Sequence, residues 1–272
     1  MRLQSYLERI SFDGKPAPTL DTLSKLLAHH VQSIPFENLD VQLGLPLTTS
    51  PAEAFDKIVL NNRGGWCYEQ NGLFGWALSE IGFDTTRIAA AVMREERGDV
   101  ANANHLCLLV RTDDADQRFL VDVGFGGSMF APIPLEESEH EQAPFRIGLR
   151  LTDDGHWRFW EDLGKGEFTF DFEMHKADEN ALHSKCDFLQ TDASSGFVQN
   201  LVVQIRLPDE HKTLRGKVFS HATRNGIESR VVTSSDELLS LLTDIFYLDV
   251  PEVAELWPRI EARHEELKRK QA

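Results

Sequence analysis

The sequence predicts an α+β fold in three parts, because its apolar patterning changes twice along the chain. Residues 1–82 carry helix-type apolar spacing, residues 83–200 alternate short apolar runs with polar turns, and residues 201–272 combine strand-type runs with two helix starts. No low-complexity linker divides the 272 residues, and a chain of this length can bury a sizeable core in two or three subdomains. We therefore expect a helical N-terminal domain, a central small barrel or sheet, and a mixed C-terminal domain with these boundaries.

The individual elements follow from the same patterns, taken in chain order. In the first part we predict helices over residues 21–30, from Ser50 onward, and over residues 67–81, where Gly82 ends the last one. In the second part the predicted strands cover residues 104–110, 118–123, 145–151, 156–161 and 167–172. In the third part, strands near residues 201–207 and 230–233 precede helices that begin at Ser235 and around Pro251.

The net charge and the cysteine count limit the partners and the location. With 28 basic and 44 acidic residues the formal charge is −16, which argues against nucleic acid and against an anionic membrane surface as partners. No run approaches 18 apolar residues and the N-terminus lacks a signal-peptide core, so we expect a soluble cytoplasmic protein, as a monomer or small homo-oligomer. Three cysteines, an odd and sparse set, fit a reducing compartment.

Cys67 is the strongest candidate for a catalytic residue. It follows two glycines in the stretch RGGWCYEQN, residues 63–71, and it begins the predicted helix over residues 67–81. In the first turn of a helix, unpaired N–H groups and the helix dipole favour a thiolate and lower the thiol pKa from its free value of about 8.5. Gly64 and Gly65 let the chain turn sharply and let a substrate approach the backbone. A merely packed cysteine would not need them, so we interpret Cys67 as a nucleophile.

A base for this thiol is predicted on the two strands over residues 104–110 and 118–123. If the hairpin between them is symmetric about the Asp113-Asp114 bond, residues whose numbers sum to 227 face one another, and His105 is then opposed to Asp122. A carboxylate in an apolar strand needs such a partner, because burying it alone is costly. We therefore expect a triad in which Cys67 attacks, His105 moves the proton, and Asp122 fixes the imidazole tautomer.

The remaining polar residues have simpler interpretations. His30 ends an amphipathic helix and His211 lies in turn-rich sequence, so we assign both to surface or capping positions. Glu69 is interpreted as a first-turn carboxylate that interacts with the helix dipole. The cysteines are too far apart for a CxxC pair and no HExxH occurs, so no metal site is expected.

In their order and spacing, several segments of the chain resemble the arylamine N-acetyltransferase family. They are IPFENL (34–39), RGGWCYEQN (63–71), the strand that carries His105, VDVGFGG (121–127) and PIPL (132–135). Beyond Leu135 the resemblance is diffuse, and it rests chiefly on the element Ser195-Gly196-Phe197. The resemblance implies a helical bundle, a central β-barrel and an α/β lid around a catalytic core like that of cysteine proteases and transglutaminases.

The resemblance also implies a reaction and roles for further residues. The reaction is a ping-pong transfer from the cosubstrate acetyl-CoA, through acetyl-Cys67, to an arylamine, an arylhydrazine or an N-hydroxyarylamine, without a metal. Three residue sets have implied roles as acceptor pocket, CoA-binding loop and structural ion pair. They are Phe36, Val92 and Phe125 for the pocket, Gly124, Gly126 and Gly127 for the loop, and Arg63 with Glu37 for the ion pair.

Three other functions remain open for the same residues. A transglutaminase-like or other cysteine hydrolase would use water or lysine as acceptor and would not depend on acyl-CoA. A related amide synthase would use acetyl-CoA poorly and would have a wider acceptor cavity. A non-catalytic binder would change only in affinity when Cys67 is replaced by alanine.

Overall fold

The computed structural model describes residues 1–271. Its α-helices are α1 (Leu3–Arg9), α2 (Leu20–Ser33), α3 (Leu39–Leu43), α4 (Pro51–Phe55), α5 (Cys67–Ile81), α6 (Arg94–Arg97), α7 (Glu179–Thr191), α8 (Gly196–Gln199), α9 (Ser235–Asp244) and α10 (Trp257–Gln271). Its strands are β1 (Phe36–Glu37), β2 (Asp84–Val92), β3 (His105–Arg111), β4 (Arg118–Val121), β5 (Ile133–Pro134), β6 (Ser138–Gln142), β7 (Phe145–Leu151), β8 (Trp157–Asp162), β9 (Glu167–Phe172), β10 (Val202–Leu207), β11 (Glu210–Arg215), β12 (Val218–Thr223) and β13 (Gly226–Val231). A π-helical segment (Asp56–Leu60) continues α4, and 3-10 segments lie at Gly98–Ala101 and Pro251–Leu256.

Eight antiparallel strands form a nearly closed barrel in the order β5-β4-β3-β2-β9-β8-β7-β6. Helix α5 packs against β2 and β3, and Gly75 permits this packing because a Cβ there would already lie 3.2 Å from Leu108 Cδ2. Leu73, Phe74 and Leu78 of α5 share one hydrophobic core with the barrel. Because each such buried side chain contributes about 1.5–3 kcal/mol relative to exposure, this core fixes the helix that begins with Cys67 to the barrel.

A second, five-stranded antiparallel sheet connects the two ends of the chain in the order β1-β10-β11-β12-β13. Its strand β1 comes from the N-terminal part, and Phe36 faces Gln204 of β10. Phe36 also forms a bridge with Gly65, two residues before Cys67. The C-terminal part of the chain is therefore attached directly beside the start of α5.

The structure confirms the α+β class and the barrel, and it corrects several elements. α5, β7 and β9 cover the predicted residues, and Gly82 ends α5 with a φ of 109°. α7 was not predicted, since only Leu182 and Cys186 of its 13 residues are buried and the apolar period is weak. The helix expected from around Pro251 begins as a 3-10 segment and continues directly as α10 from Trp257, and the strand expected over residues 230–233 is the end of β13. The domain boundaries at residues 82 and 200 stay predictions.

Within residues 1–271, no helix combines the length and the apolar character that crossing a bilayer requires.

Candidate active site

Cys67 is the first residue of α5, as the sequence predicts. Trp66 precedes it in an extended conformation, with φ −94° and ψ −175°, which is the geometry of a residue that caps a helix. Glu69 Oε2 accepts the N–H of Trp66 at 3.2 Å, so the carboxylate satisfies a donor at the start of the helix. This contact agrees with the helix-start role that we assigned to Glu69.

Gly64 lies against the chain at the start of β1 and Gly65 lies against the side chains of Glu69 and Ile58, which explains why these positions require glycine. A Cβ on Gly64 would lie 2.3 Å from Pro35 O, and Gly65 O accepts the N–H of Glu37 at 3.0 Å. Neither glycine has a positive φ. Our expectation that they form an opening for a substrate is therefore wrong, because Gly64 makes room for the neighbouring strand and Gly65 for the side chains of Glu69 and Ile58.

Arg63 and Glu37, the predicted ion pair, belong to a larger buried cluster. Arg63 Nη2 lies 3.0 Å from Glu37 Oε1 and 2.7 Å from Asp40 Oδ1, while Lys57 Nζ lies 2.9 Å from Asp40 Oδ2 and 3.0 Å from Glu69 Oε2. Burial lowers the pKa of Lys57, but the three carboxylates outweigh burial and raise that pKa above its ordinary value. The cluster holds β1 and α3 to the first turn of α5.

His105 and Asp122 are hydrogen bonded, although their strands pair in a register that we did not predict. In the β3–β4 hairpin the paired residue numbers sum to 229, as for Leu108 and Val121. The shift of two residues keeps both side chains on the same face, since side chains alternate along a strand with a period of two. His105 Nε2 lies 2.6 Å from Asp122 Oδ2, and both residues are buried. The predicted direct opposition is wrong, but the contact between the two side chains is present.

The Asp122 carboxylate has two further hydrogen-bond donors. Its Oδ1 accepts from Asn71 Nδ2 and from the N–H of Gly124, each at 2.8 Å. Asn71 Nδ2 also donates to Leu106 O at 2.6 Å. These hydrogen bonds offset the free-energy cost of burying the charge, and they determine which carboxylate oxygen faces His105. From the sequence we predicted no role for Asn71, although it lies one helical turn after the nucleophile and therefore on the same face of α5.

The thiol of Cys67 has a raised pKa, contrary to our expectation from the helix dipole. Burial is the main cause, because low-dielectric surroundings penalise the thiolate, and the Asp122 carboxylate raises the pKa further. Backbone hydrogen bonds from Leu106 and Tyr68 act in the opposite direction without outweighing burial. The predicted lowering of the pKa is therefore wrong for the isolated thiol. A thiolate forms at Cys67 only when an adjacent base takes the proton of the thiol.

Cys67 and His105 line one cavity of about 530 Å³. The three residues that we assigned to the acceptor pocket, Phe36, Val92 and Phe125, line the same cavity. The ring of Phe125 meets the imidazole of His105 edge to face, with centroids 5.3 Å apart. Aromatic walls beside a thiol and an imidazole suit a flat aromatic ligand.

Of the three glycines assigned to a CoA-binding loop, only Gly124 lines this cavity. A Cβ on Gly124 would lie 2.7 Å from Cys67 Cα, so the loop runs directly along the start of α5. Gly126 and Gly127 have φ values of 112° and 110°, and a Cβ on Gly126 would lie 2.5 Å from Gln204 Oε1. Both positions therefore need glycine for the fold itself, whichever ligand binds.

Three basic residues that our sequence analysis did not identify line the same cavity. They are Arg97, Lys185 and Arg215, and none of them forms an ion pair with a carboxylate of the described residues. Lys185 Nζ donates to the backbone oxygen of Val100 at 2.9 Å. In a chain with a net charge of −16, unpaired cations at one cavity create a local site for an anionic ligand.

Cys67 lines neither of two other sizeable cavities. One of about 520 Å³ lies beside Lys57 and Arg63, and one of about 480 Å³ lies between β11, β12 and α10. Among the residues that the structure describes, no group of histidine, cysteine, aspartate and glutamate side chains has the arrangement of a metal site.

His30 and His211 are buried, so our assignment of both to the surface is wrong. His30 lies between Tyr6 and Gln70, with its Nδ1 2.9 Å from the Tyr6 hydroxyl and its Nε2 3.1 Å from Gln70 Oε1. His211 Nε2 donates to Gly126 O at 2.8 Å. Burial lowers the pKa of His30 to about 3 and that of His211 to about 4. The position of His30 on the apolar face of α2 indicates burial, and our prediction did not take that position into account.

His30→Gln is expected to reduce the acid sensitivity of the fold. In the unfolded chain His30 binds a proton below pH 6.5, while in the folded protein it stays neutral down to about pH 3. Stability from this site is therefore present above pH 6.5 and is lost as the pH falls. In urea unfolding between pH 6 and 4, the slope of the unfolding free energy against pH should be about 1.4 kcal/mol per unit shallower in the variant. Equal slopes in the two proteins would contradict the buried neutral state.

Comparison with known proteins agrees with this geometry. A profile of the N-acetyltransferase family matches residues 19–255. The arylamine N-acetyltransferase of Mycolicibacterium smegmatis is 36% identical over 263 residues, which cover 93% of this chain and 94% of that protein. Arylamine N-acetyltransferase 1 of Homo sapiens is 28% identical, with 92% and 95% covered.

Comparison with solved structures points to the same family. The M. smegmatis enzyme has a TM-score of 0.87 at 33% identity, covering 96% of this chain and 97% of that one. The Mycobacterium marinum arylamine N-acetyltransferase in complex with CoA has a TM-score of 0.86 at 31% identity, covering 96% and 98%. The chain therefore belongs to the arylamine N-acetyltransferase family, whose members are acyltransferases.

Proposed function

We propose that this chain is a ping-pong arylamine N-acetyltransferase. Acetyl-CoA acetylates Cys67, CoA leaves, and an arylamine, an arylhydrazine or an N-hydroxyarylamine enters the vacated space and takes the acetyl group. The observation that carries the proposal is the single cavity that joins Cys67 and His105 to the aromatic walls Phe36 and Phe125. The CoA complex of the M. marinum relative supports acetyl-CoA as the donor.

In the first half-reaction His105 acts as the base for Cys67. Because Nε2 is bonded to Asp122, the nitrogen that takes the thiol proton is Nδ1. The thiolate attacks the carbonyl carbon of the acetyl thioester, the bond from that carbon to the CoA sulfur breaks, and the leaving CoA thiolate takes the proton from the imidazolium. Since burial raises the pKa of the isolated thiol, we expect the thiolate to form as an ion pair with the imidazolium, which Asp122 stabilises.

The oxyanion that forms in this step needs donors near the sulfur. The N–H of Cys67 is our candidate, because it belongs to the first turn of α5, where backbone N–H groups have no partner within the helix.

In the second half-reaction the amine nitrogen attacks the acetyl carbon of the thioester. His105 Nδ1 takes a proton from the amine, the bond between carbon and sulfur breaks, and the imidazolium returns that proton to the departing Cys67 thiolate. Phe36, Val92 and Phe125 pack on the aromatic ring and orient the nitrogen towards the thioester. Only 3% of Cys67 is exposed, which supports a role of the site in protecting the thioester from water.

We assign the phosphates of CoA to Arg97, Lys185 and Arg215, with the backbone of Gly124 beside the pantetheine. These cations lie at the cavity of Cys67 and have no carboxylate partner among the described residues. They supply the local positive field that a strongly acidic protein needs to attract an anionic donor. The assignment also explains how acetyl-CoA binds despite the net charge of −16.

Arg215→Gln is expected to raise the KM for acetyl-CoA about five- to tenfold, because one charge-assisted bond to phosphate is lost. Acetylation of the enzyme by 4-nitrophenyl acetate, a donor without phosphate, should not change. Lys15→Gln, which removes an exposed charge that does not line the cavity, is the matched control and should leave both donors unaffected. If Arg215→Gln lost activity equally with acetyl-CoA and with 4-nitrophenyl acetate, the proposed contact of Arg215 with phosphate would be contradicted.

Location and partners are proposals of the same kind. Three free, buried cysteines support a reducing cytoplasmic location, and the acidic charge supports small-molecule partners rather than nucleic acid or membranes. We propose a monomer or a small homo-oligomer.

Steady-state kinetics with acetyl-CoA and an arylamine test the proposed function. A ping-pong enzyme gives parallel double-reciprocal lines, and each CoA released is matched by one acetylated amine. Intersecting lines would contradict the acetyl-enzyme. Amide hydrolysis without any acyl-CoA would favour a cysteine hydrolase, and poor use of acetyl-CoA would favour an amide synthase.

A further inference from the structure

We propose that Gln42 and Arg259 form a relay that positions Phe197 for the acceptor half-reaction. The relay runs from the C-terminal helix α10, through α3, to the wall of the cavity that contains Cys67. This inference rests on the proposed function, and it assigns positioning roles to two residues outside the triad and the cavity walls.

The first step of the relay is a set of hydrogen bonds to the backbone carbonyl of Phe197. Phe197 O accepts from Gln42 Nε2 at 2.5 Å and from Asn38 Nδ2 at 2.9 Å. Gln42 Nε2 also donates to Val198 O at 3.1 Å, and both Gln42 and Asn38 are buried. Because α8 has only four residues, its carbonyl groups depend on donors from outside the helix, and these two amides supply them.

The second step is the orientation of the Gln42 amide by Arg259. Arg259 Nη2 donates to Gln42 Oε1 at 2.5 Å and to Gln42 O at 2.9 Å. With the opposite amide orientation, Oε1 would face the carbonyl oxygens of Phe197 and Val198, and the NH₂ group would face a guanidinium. Both contacts would then be repulsive, so Arg259 selects the orientation that holds Phe197.

The third step connects Phe197 to the reacting group. Its ring meets Trp66 edge to face, with centroids 5.4 Å apart, and lies 6.4 Å from the ring of Phe36. Trp66 immediately precedes Cys67, and Phe36 and Phe197 both line the cavity. A displacement of Phe197 therefore changes the wall against which an aromatic acceptor packs, without touching His105 or Asp122.

Gln42→Glu tests the relay with an almost isosteric change. Glutamate keeps an oxygen for Arg259 but places the other oxygen against the carbonyl of Phe197. We expect the KM for an arylamine to rise about tenfold, since a misplacement of about 1 Å near a reacting site costs up to about 10²-fold and the shift of Phe197 is a smaller one. Hydrazine has no ring to pack on Phe197, so the rate at which it removes the acetyl group from acetyl-Cys67 should not change. Arg259→Ala should show the same pattern more weakly, and it serves if the glutamate variant does not fold.

Gln199→Glu is the matched control. Gln199 Oε1 accepts from Arg263 Nη2 at 3.0 Å and its Nε2 donates to Ala193 O at 2.9 Å, so it has the same kind of partners. Ala193 does not line the cavity, and the control should therefore leave the KM for the arylamine unchanged.

The outcomes separate the relay from the proposed function. If the unmodified protein forms no acetyl-enzyme, the proposed function fails and the relay fails with it. If the acetyl-enzyme forms but Gln42→Glu slows arylamine and hydrazine equally, Phe197 is not positioned for the ring and the relay is wrong. An equal effect of Gln199→Glu, or losses that only follow the folded fraction, would also contradict it.

Discussion

Cys67→Ser is expected to reduce acetyl transfer by at least about 10³-fold, because a serine hydroxyl is a far weaker nucleophile than a thiolate and no stronger base replaces His105. The cavity and the hydrogen bond between His105 and Asp122 do not depend on the sulfur, so the variant should remain folded and should still bind acetyl-CoA. The rate at which CoA thiol is released in the presence of an arylamine measures the loss.

Cys186→Ser controls for a general effect of the substitution. Cys186 is buried in the same hydrophobic cluster as Cys67 but lies on α7 and does not line the cavity. This variant should retain transfer. Normal turnover by Cys67→Ser would show that the acetyl group never passes through Cys67.

Asp122→Asn is expected to reduce turnover by up to about 10⁴-fold, as the corresponding change does in a serine-protease triad. The structure explains why the tautomer must change. Asn71 Nδ2 and the Gly124 N–H both donate to one oxygen of the carboxylate. In the variant the amide oxygen takes that position, and the amide NH₂ faces His105 Nε2. The imidazole must then carry its proton on Nδ1, where it cannot accept the proton of the thiol.

Asp171→Asn is the matched control for the loss of a buried carboxylate. Asp171 lies between Arg94 and Arg158, at 2.7–2.9 Å, and among the described residues it has no hydrogen bond or ion pair with the triad. Its replacement should lower stability by about 1–3 kcal/mol while activity per folded molecule stays normal. If the activity lost in Asp122→Asn follows only its folded fraction, the tautomer argument is wrong.

The nucleophilic helix was predictable because several local patterns agree along it. Helical spacing, a glycine after the last turn and the RGGWC turn define α5 from Cys67 to Ile81, and the structure has the same bounds. The contact of His105 with Asp122 was also predictable, because a buried carboxylate needs a partner. The register was not, since the turn is centred on the Asp114-Ala115 bond and not on the Asp113-Asp114 bond, and only the two-residue period of the strands kept both side chains on one face.

Other parts of the site depend on contacts between residues far apart in the chain, which local patterns do not contain. Gly64 is required by the approach of β1 and not by a ligand, and Arg215 reaches the cavity only because the second sheet pairs with β1. The link from Gln42 to Phe197 spans 155 residues. The pKa of Cys67 could not be inferred from its helix position, because burial of the thiol raises that pKa more than the backbone hydrogen bonds lower it.

The most direct test is the intact mass of the purified protein after incubation with acetyl-CoA and no acceptor, followed by addition of an arylamine. We expect a gain of one acetyl group on Cys67, no gain in Cys67→Ser, and return to the original mass when the amine is added. Absence of the acetyl adduct, or an adduct on another residue, would contradict the proposed mechanism.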